Sequence, residues 1–386
     1  RIVVAADRRP RISDLASKAM HELVAIARTG PDLVDALDLV WSRGDAALPI
    51  DPRLPSAARD VLFATLSPTR VIDPDGSESS IEGLPVEDGD ALVIATSGST
   101  GVPKGVVHTH ASLEASARLT SNALGVDPAT DRWLCCLPLT HIAGLAIIVR
   151  GRTFDIPVEV HHRFDIDAVT DAARRGATLT SLVPTTLARI DPRIFRRIIV
   201  GGSATPADLP ANCRASYGMT ETGSAIVFDG NILPGADVRV IDGEIQVRGD
   251  MLLRAYRDGT DPRIADGWFP TDDAGEIDDR GRLVVHGRRG DLIITGGENV
   301  WPAPIEDVLA DLPGVTEVAV VGRPDTEWGQ AVTAVVVAAD PSTPPTLDEL
   351  RDAIRSRLPA WCAPRRLELV TALPRTPLGK VERKSL

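Results

Sequence analysis

The chain has 386 residues, too many for one ordinary hydrophobic core, so two or three lobes are expected from size alone. Its 43% hydrophobic and 25% charged residues and near-zero mean hydropathy are those of a globular protein, and no uninterrupted apolar run is long enough to span a bilayer. With 42 basic against 54 acidic side chains, the net charge of -12 argues against broad electrostatic binding to nucleic acid, so any anionic ligand must be held by local donors.

Residues 1–90 alternate helical stretches, the clearest from Ile12 to Ala27, with Pro- and Asp-rich connections such as Asp51-Pro52-Arg53-Leu54-Pro55, and carry no motif. From Asp90 the pattern changes to apolar runs separated by helical stretches: Ala91 to Ala95, Trp133 to Leu137, Thr178 to Val183 and Arg197 to Val200. Such alternation predicts an α/β body. After Asp237, short alternating segments (Val238 to Ile241, Glu244 to Arg248, Arg282 to His286) with Gly and Asp turns predict a β-rich subdomain. A third regime begins near Arg289. Strands over Glu317 to Val321 and Ala331 to Ala338 precede a Pro-rich linker, and Thr346 with Glu349 forms a capping box for a helix whose Leu347, Leu350, Ile354 and Leu358 share one face. The chain therefore reads as an α/β protein: a body over residues 1–289 that includes the β-rich subdomain, and a small mobile α+β domain over 290–386.

Cys135, Cys136, Cys213 and Cys362 show neither paired metal-ligand spacing nor a disulfide framework, and no charged-then-apolar leader opens the sequence, which starts at Arg1; a cytoplasmic location is expected. Only four positions are lysine: Lys18, Lys104, Lys380 and Lys384. A lysine kept in so arginine-rich a chain is a candidate for the slim point charge that a phosphate or carboxylate needs.

The strongest local signal is Thr96-Ser97-Gly98-Ser99-Thr100-Gly101-Val102-Pro103-Lys104-Gly105, directly after an apolar run. Small residues let successive backbone N–H groups approach an anion, the hydroxyls add donors and Lys104 adds charge, which is how a loop cradles phosphates. The string differs from a P-loop because no Ser or Thr follows the lysine.

This decapeptide resembles the phosphate loop of the adenylate-forming superfamily, which includes acyl-CoA synthetases, adenylation domains and beetle luciferases. The likeness continues in order from Asp90 to Lys380. Leu137-Pro138-Leu139-Thr140-His141 resembles the segment whose His abuts the carboxylate being activated, and His141 takes that place. Gly201-Gly202-Ser203 resembles the adenine-side loop. Tyr217-Gly218-Met219-Thr220-Glu221-Thr222 resembles the central motif, in which Tyr217 stacks on adenine, Thr220 donates to the α-phosphate and Glu221 holds Mg²⁺. Thr271-Asp272-Asp273 is similar to the Thr-Gly-Asp segment that sets Asp273 on the ribose hydroxyls, with Asp272 departing from the usual Gly; Arg288 follows as a ribose or phosphate contact. Arg289 and Gly290 fall at the hinge, Gly296-Gly297 in the loop that turns toward coenzyme A, and Lys380 at the C-terminal lysine that reaches the acyl carboxylate and α-phosphate. Two of the four lysines thus fall on the family's two lysine positions.

The resemblance implies ATP, Mg²⁺ and coenzyme A as reactants, a carboxylic acid as substrate, and thioester formation through an acyl-AMP. Within the superfamily, His141 followed by Ala143-Gly144-Leu145 and Arg150, together with Gly297-Glu298-Asn299-Val300-Trp301-Pro302, looks most like the o-succinylbenzoate–CoA ligases of menaquinone synthesis. That acid keeps a second carboxylate after activation, for which Arg150 and Ser224 are the candidate donors. A ligase for another aromatic or fatty acid, and an enzyme loading a separate carrier protein, are the alternatives. Among assemblies, a homodimer is open. Between Ser203 and Tyr217 there are only thirteen residues, where relatives usually fit a helix and a strand.

Overall fold

Short apolar runs such as Leu23–Ile26 and Trp133–Cys135 build strands of the body whose two faces enter different cores. The computed structural model describes residues 21–97, 103–202, 208–375 and 381–386. The first sheet contains β1 (Leu23–Ile26), β2 (Ala46–Pro49), β3 (Arg70–Ile72), β4 (Glu78–Ser80), β5 (Asp90–Ser97) and β6 (Pro103–Thr109). The second contains β7 (Trp133–Cys135), β8 (Val158–Val160), β9 (Leu179–Leu182), β10 (Arg197–Val200), β11 (Cys213–Met219), β12 (Ser224–Phe228) and β13 (Asn231–Ile232). A third sheet holds β14 (Asp237–Ile241) and β15 (Glu244–Arg248); β16 (Ala255–Tyr256) returns to the edge of the first; and β17 (Phe269–Ile277) and β18 (Leu283–Arg288) complete the third. The strand orders are β16-β6-β5-β2-β1-β3-β4, β13-β12-β11-β10-β9-β7-β8 and β14-β15-β17-β18.

The large sheets sandwich α1 (Gly30–Ser42), α3 (His110–Leu124) and α4 (Ile142–Phe154), while α2 (Ser56–Leu66) covers the outer face of the first and α5 (Ile166–Arg174) and α6 (Pro184–Leu187) that of the second. Val24 and Ile26 enter the central core and Leu23 and Ala25 the outer one; on the second sheet Trp133 and Cys135 face inward, Leu134 and Cys136 outward. All four cysteines are free thiols.

The expected helix from Ile12 to Ala27 is corrected where it is described: Leu23–Ile26 is a strand, and residues 1–20 lie outside the described residues. Nor does the α/β pattern wait for Asp90, since four strands precede it. A four-residue run buried on both faces has no period by which strand and helix could be told apart.

The small lobe has its own sheet, β19 (Ile293–Thr295), β20 (Glu298–Val300), β21 (Val315–Asp325), β22 (Gly329–Ala338) and β23 (Arg366–Leu369), with α7 (Pro302–Ala310) and α8 (Leu347–Arg357) on one face. The Thr346–Glu349 capping box forms, and Leu350 and Ile354 are fully buried beneath it.

Candidate active site

Three neighbouring elements place the residues expected around adenosine. In the β17–β18 ladder Asp273 lies directly opposite Arg288, whose Nε is 3.0 Å from Asp273 Oδ1. Tyr217, on β11, donates its hydroxyl to Asp273 Oδ2 at 2.9 Å. Burial, then the adjacent Asp273, push the Tyr217 phenol well above its usual value, so the hydroxyl stays a donor. The same burial raises Asp273, against the opposing pull of Arg288 and Tyr217. Asp273 is 8% exposed. Its oxygens are therefore held, by donors on two different sheets, at the rim of the body.

Asp272 explains its own departure from glycine. Its φ is +60°, in the left-handed region that Asp tolerates better than most residues, and its N–H donates to Glu244 Oε1 at 3.1 Å. The turn that a Gly would make freely is made here by a residue with a short polar side chain.

The phosphate side is built on β6. Thr96 pairs with Lys104 in the β5–β6 hairpin, and Ser97 with Pro103. Gly98, Ser99, Thr100 and Gly101 lie outside the described residues. Lys104 Nζ stands 5.0 Å above the ring of Tyr256, and the Tyr256 hydroxyl donates to Glu221 Oε1 at 3.1 Å. Glu221 belongs to the single 3₁₀ turn Thr220–Thr222 after β11 and makes no other side-chain hydrogen bond among the described residues. No group of three or more His, Cys, Asp or Glu that could hold a metal occurs among the described residues. One available carboxylate, with an adjoining hydroxyl, is the donor set that suits Mg²⁺ arriving on phosphates with most of its waters; it does not suit a resident ion.

Gly201 and Gly202 follow β10: a Cβ on Gly201 would lie 2.2 Å from Ser216 Oγ, and Gly202 has a φ of +87°. Gly218 is equally obligate, with Ser224 O 2.2 Å from a Cβ, and Met219 ends β11 beside it. Ser203 and Lys380 lie outside the described residues. His141 is the exposed N-cap residue of α4.

Arg150, two turns further along α4, is 1% exposed. Its Nε donates to Thr120 Oγ1 at 2.9 Å, its Nη2 to Ser224 Oγ, and its guanidinium lies 5.5 Å from the Trp133 ring centroid. Among the described residues it has no carboxylate partner, and burial lowers it to about 10. Arg150 and Ser224 are thus brought together, the guanidinium behind the hydroxyl.

At the small lobe, Gly296 and Gly297 form the turn of the β19–β20 hairpin with φ of +60° and +87°. Arg289 and Gly290 lie in the 3₁₀ turn Arg289–Asp291 between β18 and β19, where Arg289 pairs with Glu244 at 3.3 Å.

The sequence of the AMP-binding enzymes matches residues 73–300, and that of the AMP-binding enzyme C-terminal domain matches residues 304–380. The chain belongs to the AMP-binding enzymes. Among relatives, the probable 2-succinylbenzoate–CoA ligase of Mycobacterium tuberculosis is 38% identical over 330 residues, covering 79% of this chain and 85% of the relative. The o-succinylbenzoate CoA synthetase of Bacillus subtilis, in complex with its acyl-adenylate intermediate, superposes with a TM-score of 0.84 at 29% identity, over 96% of this chain and 89% of that one. A double mutant of that synthetase bound with a product analogue superposes with a TM-score of only 0.64, over 95% and 88%, also at 29% identity.

Three side chains of this AMP-binding enzyme's site escape motif reading. Tyr256 sits in a two-residue strand that pairs with Val106 of β6. Its signal is compositional: the chain has 2 tyrosines, and both hydroxyls land on carboxylates of the site. His108 and Glu244 show nothing in sequence, because each acts on backbone from a distant segment.

Proposed function

We propose that this AMP-binding enzyme activates o-succinylbenzoate with ATP as an acyl-AMP and transfers the acyl group to coenzyme A, giving o-succinylbenzoyl-CoA. The carrying observation is the joint placement of a Tyr217–Asp273–Arg288 adenosine cluster and a Lys104–Tyr256–Glu221 phosphate cluster on one rim. The acid is supported by the likeness to ligases for that substrate and by a buried cation suited to a second carboxylate.

A carboxylate is a poor acyl donor until one oxygen is made a leaving group. In the first step the substrate carboxylate attacks the α-phosphorus of ATP and pyrophosphate leaves, forming a mixed anhydride. Asp273 accepts from the ribose hydroxyls, Tyr217 lies against adenine, and Thr220 and Lys104 meet the phosphates. Mg²⁺, held by Glu221, would neutralise charge on the departing pyrophosphate. Lys380 supplies an ammonium at the α-phosphate and bridging oxygen, where charge grows in the transition state. In the second step the thiol of coenzyme A attacks the acyl carbon and AMP leaves, with Gly296-Gly297 turned toward the thiol.

Arg150 reaches the distal carboxylate through Ser224. The Ser224 oxygen accepts from the guanidinium, so its proton is available to an anion, and the unneutralised charge behind it favours a dicarboxylate over a neutral acid. Among the described residues no helix is long and apolar enough to cross a membrane. A homodimer is the assembly to be tested, by light scattering.

The test is pyrophosphate release with ATP and Mg²⁺ across o-succinylbenzoate, benzoate, a coumarate, a medium-chain fatty acid and amino acids, with and without coenzyme A. Release with o-succinylbenzoate, and a thioester only when coenzyme A is added, is expected. Release with another acid alone would discard the substrate and keep the chemistry.

A further inference from the structure

Strand β6 carries Lys104, Val106 and His108 on one face, since residues two apart in a strand point the same way. Lys104 meets Tyr256; His108, 0% exposed, turns to the Thr220–Thr222 turn. Its Nε2 is 2.7 Å from the carbonyl oxygen of Thr220 and its Nδ1 3.1 Å from Ser112 Oγ. A carbonyl oxygen only accepts, so Nε2 carries the proton, and in the neutral ring Nδ1 accepts from Ser112. Burial pushes this imidazole down to about 4, so it is neutral wherever an ATP-dependent reaction would be assayed.

The same turn is fixed from two other directions. Leu253 N–H donates to the Glu221 carbonyl at 2.8 Å, and Tyr256 holds the Glu221 carboxylate. Gly223, with a φ of +66°, lets the turn close against α3: a Cβ there would lie 3.1 Å from Ser116 Cβ and 3.6 Å from His108 Cε1. Tyr256 is itself registered on β6 opposite Val106. One strand thus sets the positions of the phosphate lysine, the tyrosine on Glu221 and the backbone that presents Thr220.

We infer that His108 is a positioning residue for the ATP half-reaction: its Nε2–H bond to the Thr220 carbonyl registers the turn bearing Thr220 and Glu221 against the strand bearing Lys104. The inference rests on the function proposed above. Thr220 must meet a phosphate oxygen, and Glu221 the Mg²⁺ that comes with the phosphates, within tenths of an ångström, and a misplacement of about 1 Å costs on the order of 100-fold in rate. Glu221 serves the pyrophosphate, which has left before the thiol attacks, so the two half-reactions should respond unequally.

The experiment compares His108→Leu, which removes the donor, with His108→Gln, whose amide can still donate to the carbonyl. Pyrophosphate release, conversion of chemically prepared acyl-AMP by coenzyme A, calorimetric affinity for Mg-ATP and for AMP, and melting temperature are measured on each. His108→Leu should lower pyrophosphate release on the order of 10- to 100-fold and weaken Mg-ATP more than AMP, while conversion of acyl-AMP stays within about threefold. His108→Gln should recover most of the loss. Equal falls in both half-reactions, or a lower melting temperature with an unchanged ratio between them, would overturn the inference. If His108→Leu does not fold, Ser112→Ala, which strips the ring of its Nδ1 partner, must shift the ratio in the same direction; an unchanged ratio overturns the inference as well. Were the wild type inactive with every acid, the proposed function would fall, and the Mg-ATP to AMP affinity ratio would still decide the role of His108.

Discussion

Asp273 is held against its own stability. Its carboxyl is raised by burial, which outweighs the Arg288 guanidinium and the Tyr217 hydroxyl. A carboxyl that binds its proton more tightly folded than unfolded favours the folded state at low pH. That advantage is lost as pH rises from the ordinary value of 3.8 through the raised one, so the penalty is complete at neutral pH. Asp273→Asn removes it at little steric cost, and the exposed Arg288 loses a partner of small worth. The variant should melt at or above the wild type at neutral pH, with the gap closing on acidification below 3.8, while ATP affinity drops about tenfold or more as the charged acceptor is lost. Lower stability at neutral pH would show that the two donors more than compensate burial. At this scale Asp273 and Arg288 were singled out because each lies in a recognisable segment, and the structure sets them opposite each other in one ladder. Tyr256 was not, because a two-residue strand leaves no periodicity.

The hairpin β19–β20 shows how a local rule and a tertiary contact converge on one residue. Both central positions have positive φ, as a two-residue primed turn demands, and two glycines supply them. Gly296 is constrained further: a Cβ would sit 2.6 Å from Trp328 Cε3, while its N–H donates to Trp328 O at 2.9 Å and Arg365 lies 3.6 Å from that ring centroid. Gln330 Oε1 receives the Ile294 N–H at 2.7 Å, tying the hairpin to β22. Gly296→Ala should therefore cost about 1–2 kcal/mol by denaturant titration, from the left-handed strain and the clash together. It should also slow conversion of acyl-AMP by coenzyme A about tenfold with pyrophosphate release little changed, since the loop is proposed to serve only the second step. In the Gly296→Ala, Trp328→Ala double variant the loss should be less than additive; strict additivity would mean the indole does not set the loop. Capped, periodic elements such as α8 were readable in sequence, because the capping box and the one-sided Leu350–Ile354 stripe are local. Leu23–Ile26 was misread as helix because a four-residue strand buried on both faces has no period.

Long-range assembly was the least legible level, since strand pairing joins segments far apart in sequence: β16 closes on β6 across the whole second sheet. The relation of the small lobe to the body has a readable consequence. This chain superposes on the adenylate-bound Bacillus subtilis synthetase at a TM-score of 0.84 and on the product-analogue-bound double mutant at 0.64, with nearly equal coverage and equal identity. Over its whole length the chain therefore superposes more closely on the first. Glu244 links the body to the proposed hinge, since Oε1 receives the Asp272 N–H beside Asp273 and Oε2 pairs with Arg289. Glu244→Gln keeps the amide's acceptor for Asp272 and removes the charge facing Arg289. With Arg289 46% exposed, the pair is worth at most about 1 kcal/mol, so the balance between arrangements can move by about fivefold and no more. The ratio of thioester formation from acyl-AMP to pyrophosphate release should rise within that limit in Glu244→Gln, and the wild type should move the same way with added salt. A ratio unmoved by both the substitution and salt would mean that the Glu244–Arg289 pair does not bias the lobes.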